Sequence, residues 1–153
     1  MRITAPLAVA VLLGLSTVPC CAAGVDDKPF NMESIQALEA RANQAQPREQ
    51  CFLYAELVHQ MTEVSVRQYA NGDVEKATDL LKRVKQLAQK IHLSLVKKDK
   101  RMKDAEILLN HTTFRLNELL HDSSYQDRPL VESALSEVNQ AENEAMMQVF
   151  RDK

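Results

Sequence analysis

Two Glu-x-x-His pairs are the residues best suited by type and spacing to chemistry: Glu56-Leu57-Val58-His59 and Glu118-Leu119-Leu120-His121. On a helix, positions i and i+3 share a face. Bundles that carry two such pairs, each opposite a further Glu, hold two iron ions between carboxylates and imidazoles. A centre of that kind needs every ligand aimed into the core. At about 100° per residue, the apolar face around Leu57 and Met61 lies roughly 140° from Glu56 and roughly 160° from His59. The face around Leu109 and Leu116 lies roughly 170° from Glu118 and roughly 130° from His121 by the same rotation. Both pairs are expected at the surface, and no residue is assigned to a metal.

The other candidates are isolated. Cys51 has only Arg48 and a helix start near it to favour a thiolate, and it reads as a passive, partly buried thiol. His92 and His111 have no partner at ligand spacing. No Ser or Cys lies in a nucleophile motif, the 24–153 region contains one internal glycine (Gly72) where a phosphate loop needs several, and no Cys-x-x-Cys-His is present to attach haem. Neither catalysis nor a cofactor is expected. Asn110-His111-Thr112 matches a glycosylation sequon but falls in the middle of a helical pattern. Met146, Met147 and Phe150 are read as core filling, with a soft binding edge as the alternative. Phe52 and Val66 sit on the polar side of their helix and are expected to receive the short first helix or a partner.

Residues 82–103 carry nine Lys and Arg against Asp99 alone. Nucleic-acid recognition would interleave aromatics for stacking, yet no Phe, Tyr or Trp occurs from Val74 to Thr113, so that function is excluded. An anionic envelope surface stays open as a partner, beside the simpler reading of a solvated face. Glu132, Glu137, Glu142 and Glu144 make the last helical segment acidic where it is expected to lie beside this basic stretch.

These side chains must be positioned by helices. Through residues 73–121, apolar residues recur at 3-4 spacing for seven heptads: Val74, Leu81, Ala88, Leu95, Met102, Leu109 and Leu116 at a, and Ala77, Val84, Ile91, Lys98, Ala105, Thr112 and Leu119 at d. Leu80, Leu87 and Leu108 widen the stripe, which implies more than one packing neighbour. The unbroken phase predicts one long helix, about 73 Å if straight or kinked near Lys98, in place of a turn within 97–101. Lys98 at d reads as a snorkelling lysine at a bend, or as a residue that sets register in an oligomer. A short helix from residue 31 or 32 to the break at Pro47 is predicted, then a second helix ended by Asn71-Gly72, with Asp73 capping the next. Residues 121–127 form the second loop. A last helix opened by Asp127 and Pro129 turns Val131, Leu135, Val138, Ala145 and Val149 inward.

The expected fold class is all-α: an elongated antiparallel helical bundle built on one long helix with coiled-coil-like heptads. Arg2, the apolar run 7–18 and the small residues Ala22-Ala23-Gly24 have the parts of a secretory signal peptide at 1–23. A flexible leader at 24–31 and the bundle domain at 32–153 follow. Cys20 and Cys21 fit a lipid-anchor pattern badly, since Pro19 or Cys20 stands where a small residue belongs. Cleavage near Ala23 leaves Cys51 as the sole cysteine, so no intramolecular disulfide is expected. The expectation is an exported, periplasmic or secreted, non-catalytic protein. It works through helix faces on a partner or a second copy, and the alternative is a small-ligand or metal-binding bundle.

Overall fold

The computed structural model describes residues 30–95 and 101–151. The expected signal peptide, leader residues 24–29 and Lys98 lie outside the described residues. The chain forms five helices, α1 (Met32–Gln44), α2 (Pro47–Ala70), α3 (Val74–Ser94), α4 (Met102–Asp122) and α5 (Arg128–Arg151), and the described residues hold no strand.

Local chemistry sets most of the boundaries. Asn31 caps α1 through a reciprocal box with Ser34, whose backbone N donates to the Asn31 side chain at 2.8 Å. Pro47 occupies the first turn of α2, where its missing N–H costs nothing. Gly72, at φ +84°, closes α2. Its N–H donates to the Tyr69 carbonyl and the N–H of Asp73 to the Gln68 carbonyl, the two bonds of a Schellman ending. Asp73 stands at the N-cap of α3 as expected, but its side chain makes no cap bond and pairs with Lys76 at 3.4 Å instead. Between α4 and α5, the Tyr69 hydroxyl accepts from Ser124 N at 2.7 Å and donates to Asp127 Oδ2 at 3.1 Å, which pins this loop to the end of α2.

The expected single helix over 73–121 is corrected. α3 ends at Ser94, Leu95 is extended at φ −68°, ψ 97°, and α4 begins afresh at Met102. Contacts along α2 fix the directions. Ser65 Oγ donates to the Ala77 carbonyl at 2.9 Å and Lys90 lies over the Tyr54 ring, so α3 runs antiparallel to α2. Cys51 meets Met102, His59 meets Thr112 and Glu63 meets Arg115, so α4 runs parallel to α2 and antiparallel to α3. The Arg128 guanidinium donates to the Leu120 carbonyl while Asn110 reaches Glu142, so α5 returns antiparallel to α4. Among the described residues the backbones of α3 and α4 do not approach closely, nor those of α2 and α5; each pair occupies a diagonal of a four-helix arrangement. α1 packs against α2, with Glu39 tied to Arg83 of α3 at 2.5 Å.

The physical reason is that two half-length helices, each held between α2 and α5, bury their widened stripes from two sides, whereas a single rod would leave one flank of each half in water. The core follows the heptad assignments on both sides of the reversal. Leu81, Val84, Ala88, Ile91, Met102, Ala105, Leu109, Thr112, Leu116 and Leu119 are all buried. In α5, Val131, Ala134, Val138, Ala141 and Ala145 face the core, with Leu135 and Val149 half-buried.

Candidate functional site

α2 has almost no polar side in its first half: Cys51, Phe52, Leu53, Tyr54, Ala55, Leu57 and Val58 are all buried, because α1, α3 and α4 contact it from three directions. The side turned toward α4 therefore carries the residues that a helix wheel centred on Leu57 sends to solvent. His59 is corrected accordingly. Its Nδ1 lies 3.2 Å from Thr112 Oγ1, and its ring packs edge-on against Phe30 at 6.0 Å and 6.5 Å from His111. The Thr112 hydroxyl spends its single proton on the Leu108 carbonyl at 2.7 Å, so Nδ1–H must donate and Nε2 keeps its lone pair. Burial lowers the His59 pKa below its ordinary value; His111 and Arg115 act in the same direction, and Glu63 opposes them.

Beside His59, α2 and α4 leave a groove of about 420 Å³. Phe30, Phe52, Ile107 and Leu108 give it an apolar lining, and Glu56, His59, Gln60, Asp104 and Arg101 supply its polar groups. The Arg101 guanidinium lies over the Phe52 ring at 3.3 Å, and its Nε donates to Asp104 at 3.1 Å. Phe52 thus receives Arg101. Gln60 Oε1 is buried without a hydrogen-bond partner. Phe30 is held from its backbone side as well, since Arg67 Nη2 donates to its carbonyl. The last two residues of the expected flexible leader are therefore fixed, Phe30 by this groove and Asn31 as a cap.

The second Glu-x-x-His pair does not join the first. Glu118 is half-buried and accepts from Arg115 Nη1, while His121 is exposed near the far end of α4. Arg115 also donates to Glu63 at 2.8 Å, and that bond is the largest cause holding the guanidinium's pKa above its usual value. Among the described residues no three His, Cys, Asp or Glu are grouped to hold a metal. Cys51 is fully buried, its thiol 3.9 Å from Met102 Sδ. Asn110 lies within α4 and donates to Glu142 at 2.8 Å.

The acidic residues of α5 meet neutral donors more than lysines. Glu137 accepts from Gln89 at 3.0 Å, Glu142 from Asn110 and Thr113 at 2.8 Å each, and Glu144 lies 2.5 Å from His92 Nδ1. Burial pushes the Glu144 carboxyl up, but the bonds from His92 and Gln140 outweigh it and leave the pKa below its usual value.

A second surface stands out by composition. Opposite the core, α4 presents Ile107, Asn110, Phe114 and Asn117, and α5 presents Gln140, Asn143, Met146, Met147 and Phe150, all exposed and none charged. Phe114 is 63% exposed, Met147 54% and Phe150 65%, which corrects the expectation that the methionines and Phe150 fill the core. The reason is rotational: Val138, Ala141 and Ala145 take the inward positions at that end of α5. Charged side chains flank this face instead, with Lys103 and Arg151 near one end, Glu132 at the other, Glu106 half-buried at its margin and Glu142 half-buried between the two helices, where Asn110 and Thr113 donate to it.

Sequence reasoning missed Gln60, Asp104 and Arg101 as groove residues. No local pattern marks them, because they converge only once α2 and α4 are known to run side by side. No family model, curated protein or solved structure matches this chain.

Proposed function

We propose that this chain is an exported, non-catalytic helical protein that acts by association through the outer face of α4 and α5, with a second copy as the occupant. The observation that carries the reading is the uncharged, Phe- and Met-bearing face in a chain whose residues are 26% charged. The centre of a protein interface is marked by loss of charge and enrichment in aromatics and Met. A face whose exposed side chains are uncharged also meets its own copy with little repulsion, as a two-fold contact requires, the half-buried Glu142 between the two helices being held by Asn110 and Thr113. The heptad residues of α3 and α4 are consumed inside the chain, so a dimer must use this outer face and not the a/d seam. Export rests on the sequence of residues 1–23, and no described helix is long and apolar enough to cross a membrane.

The test is the mass of the exported chain by sedimentation equilibrium. The wild type is expected to be a dimer, and Phe114→Glu to weaken dimerisation by at least about tenfold, since two charges would face each other across the contact. Leu93→Glu, at an 82% exposed site on α3, serves as the control and leaves the dimer intact. A wild type that is monomeric at high concentration, or a Phe114→Glu chain that dimerises unchanged, overturns the proposal.

The alternative, a small-ligand binder, is favoured by a separate observation, the α2–α4 groove. It shares only Ile107 with the outer face.

A further inference from the structure

We propose that the groove between α2 and α4 binds a small organic monocation with an apolar body, a protonated aryl or alkyl amine. The space, about 420 Å³, suits a small molecule, and Phe30, Phe52, Ile107 and Leu108 offer it a lining that gains from excluding water. The polar groups then select the ligand's chemistry by what they lack. Arg101 is engaged with Asp104 and the Phe52 ring, so these two opposite charges answer each other. Glu56 has no ion pair or hydrogen bond among the described residues, which leaves one carboxylate of the lining unmatched.

One helical turn further on, Gln60 presents a buried carbonyl oxygen that meets no donor. Residues i and i+4 lie on one helix face about 5–6 Å apart at Cβ, so a ligand head at the Glu56 carboxylate sits beside the Gln60 amide, whose covered oxygen comes within reach on rotation of that side chain. His59, between them in sequence, has committed its Nδ1–H to Thr112 and keeps an unprotonated nitrogen. The Glu56 carboxylate, His59 Nε2 and Gln60 Oε1 are acceptors that meet no donor among the described residues. An ammonium supplies what is missing: a positive charge for Glu56 and further N–H groups for the Gln60 carbonyl. A carboxylate ligand would meet Glu56 with like charge, and a neutral alcohol could donate to that carboxylate but would leave its charge unmatched.

The test is isothermal titration of the full chain with 2-phenylethylamine, 2-phenylethanol and phenylacetate in parallel. The amine is expected to bind, with the alcohol at least about tenfold weaker and phenylacetate not detected. Glu56→Gln should weaken the amine about ten- to a hundredfold, the effect of losing one charge-assisted hydrogen bond, while leaving the alcohol unchanged. Ile107→Trp, which fills the groove from an exposed position on α4, should abolish amine binding with the circular dichroism melt preserved. Equal affinity for amine and alcohol, no amine binding at about 10 mM, or full affinity in Glu56→Gln overturns the proposal. Ile107 borders both surfaces, but Phe114 does not line the groove, so Phe114→Glu should bind the amine as the wild type does; failure of dimerisation and failure of amine binding are thus read separately.

Discussion

Leu57→Ala probes the packing directly, because Leu57 is fully buried on α2, the helix that α1, α3 and α4 all contact. Truncation removes three carbons at about 0.8 kcal/mol each, or roughly 2.4 kcal/mol of lost burial. Neighbours held from several sides cannot collapse into the space, so a cavity contribution adds to this, and the sum falls in the range of about 2.7–5 kcal/mol seen for such changes. In a domain of this size each kcal/mol moves the melting midpoint by roughly 3–5 °C, so a drop of about 10–20 °C is expected. Urea unfolding followed by circular dichroism gives the free energy, with Leu93→Ala at an 82% exposed site as the reference, expected within about 0.5 kcal/mol of wild type. A Leu57→Ala loss below about 1 kcal/mol would refute the three-sided packing of α2.

Two further perturbations separate backbone from electrostatic contributions. Gly72→Ala should cost about 1 kcal/mol by urea unfolding: at φ +84° the methyl meets nothing within 4 Å, so the penalty is torsional alone, and a variant as stable as wild type would contradict the left-handed ending of α2. Burial lowers the His59 pKa below its ordinary 6.5, so its contribution is intact above that pH and is lost as pH falls from about 6.5 through the native value, where the unfolded chain binds the proton first. Wild-type stability should therefore fall more steeply than that of His59→Gln between about pH 7.5 and 5, the glutamine amide retaining a donor for Thr112. Parallel pH profiles would show that His59 is not held neutral by its surroundings.

Most helix boundaries are legible in the sequence because they rest on local chemistry: Asn31 before Ser34, Pro47 in a first turn, Asn71-Gly72 and Asp127. The inward positions of α3 and α4 are legible for the same kind of reason, since 3.6-residue periodicity reports which side is dry without saying what covers it. The reversal between α3 and α4 is hidden by a coincidence of length. Leu95 and Met102 are one heptad apart, so the phase continues whether the chain goes straight on or turns back. Everything downstream of that ambiguity is illegible too. His59, Gln60 and Asp104 come together only when α4 lies parallel to α2, and a wheel with a single apolar centre cannot represent a helix buried on three sides. The exposure of Met147 and Phe150 is likewise invisible, since Met and Phe serve equally well as core filling and as interface.

The arrangement of α3 against α4 is the claim on which both the groove and the outer face depend, and one distance tests it. Glu75 and His121 are exposed, near the start of α3 and the end of α4, and can each carry a spin label on an unnatural ketone side chain that leaves the native cysteines untouched. Pulsed dipolar spectroscopy should return roughly 15–30 Å, a bundle diagonal plus two label arms. A separation near 70 Å, the reach of 46 residues in one continuous helix, would contradict the account.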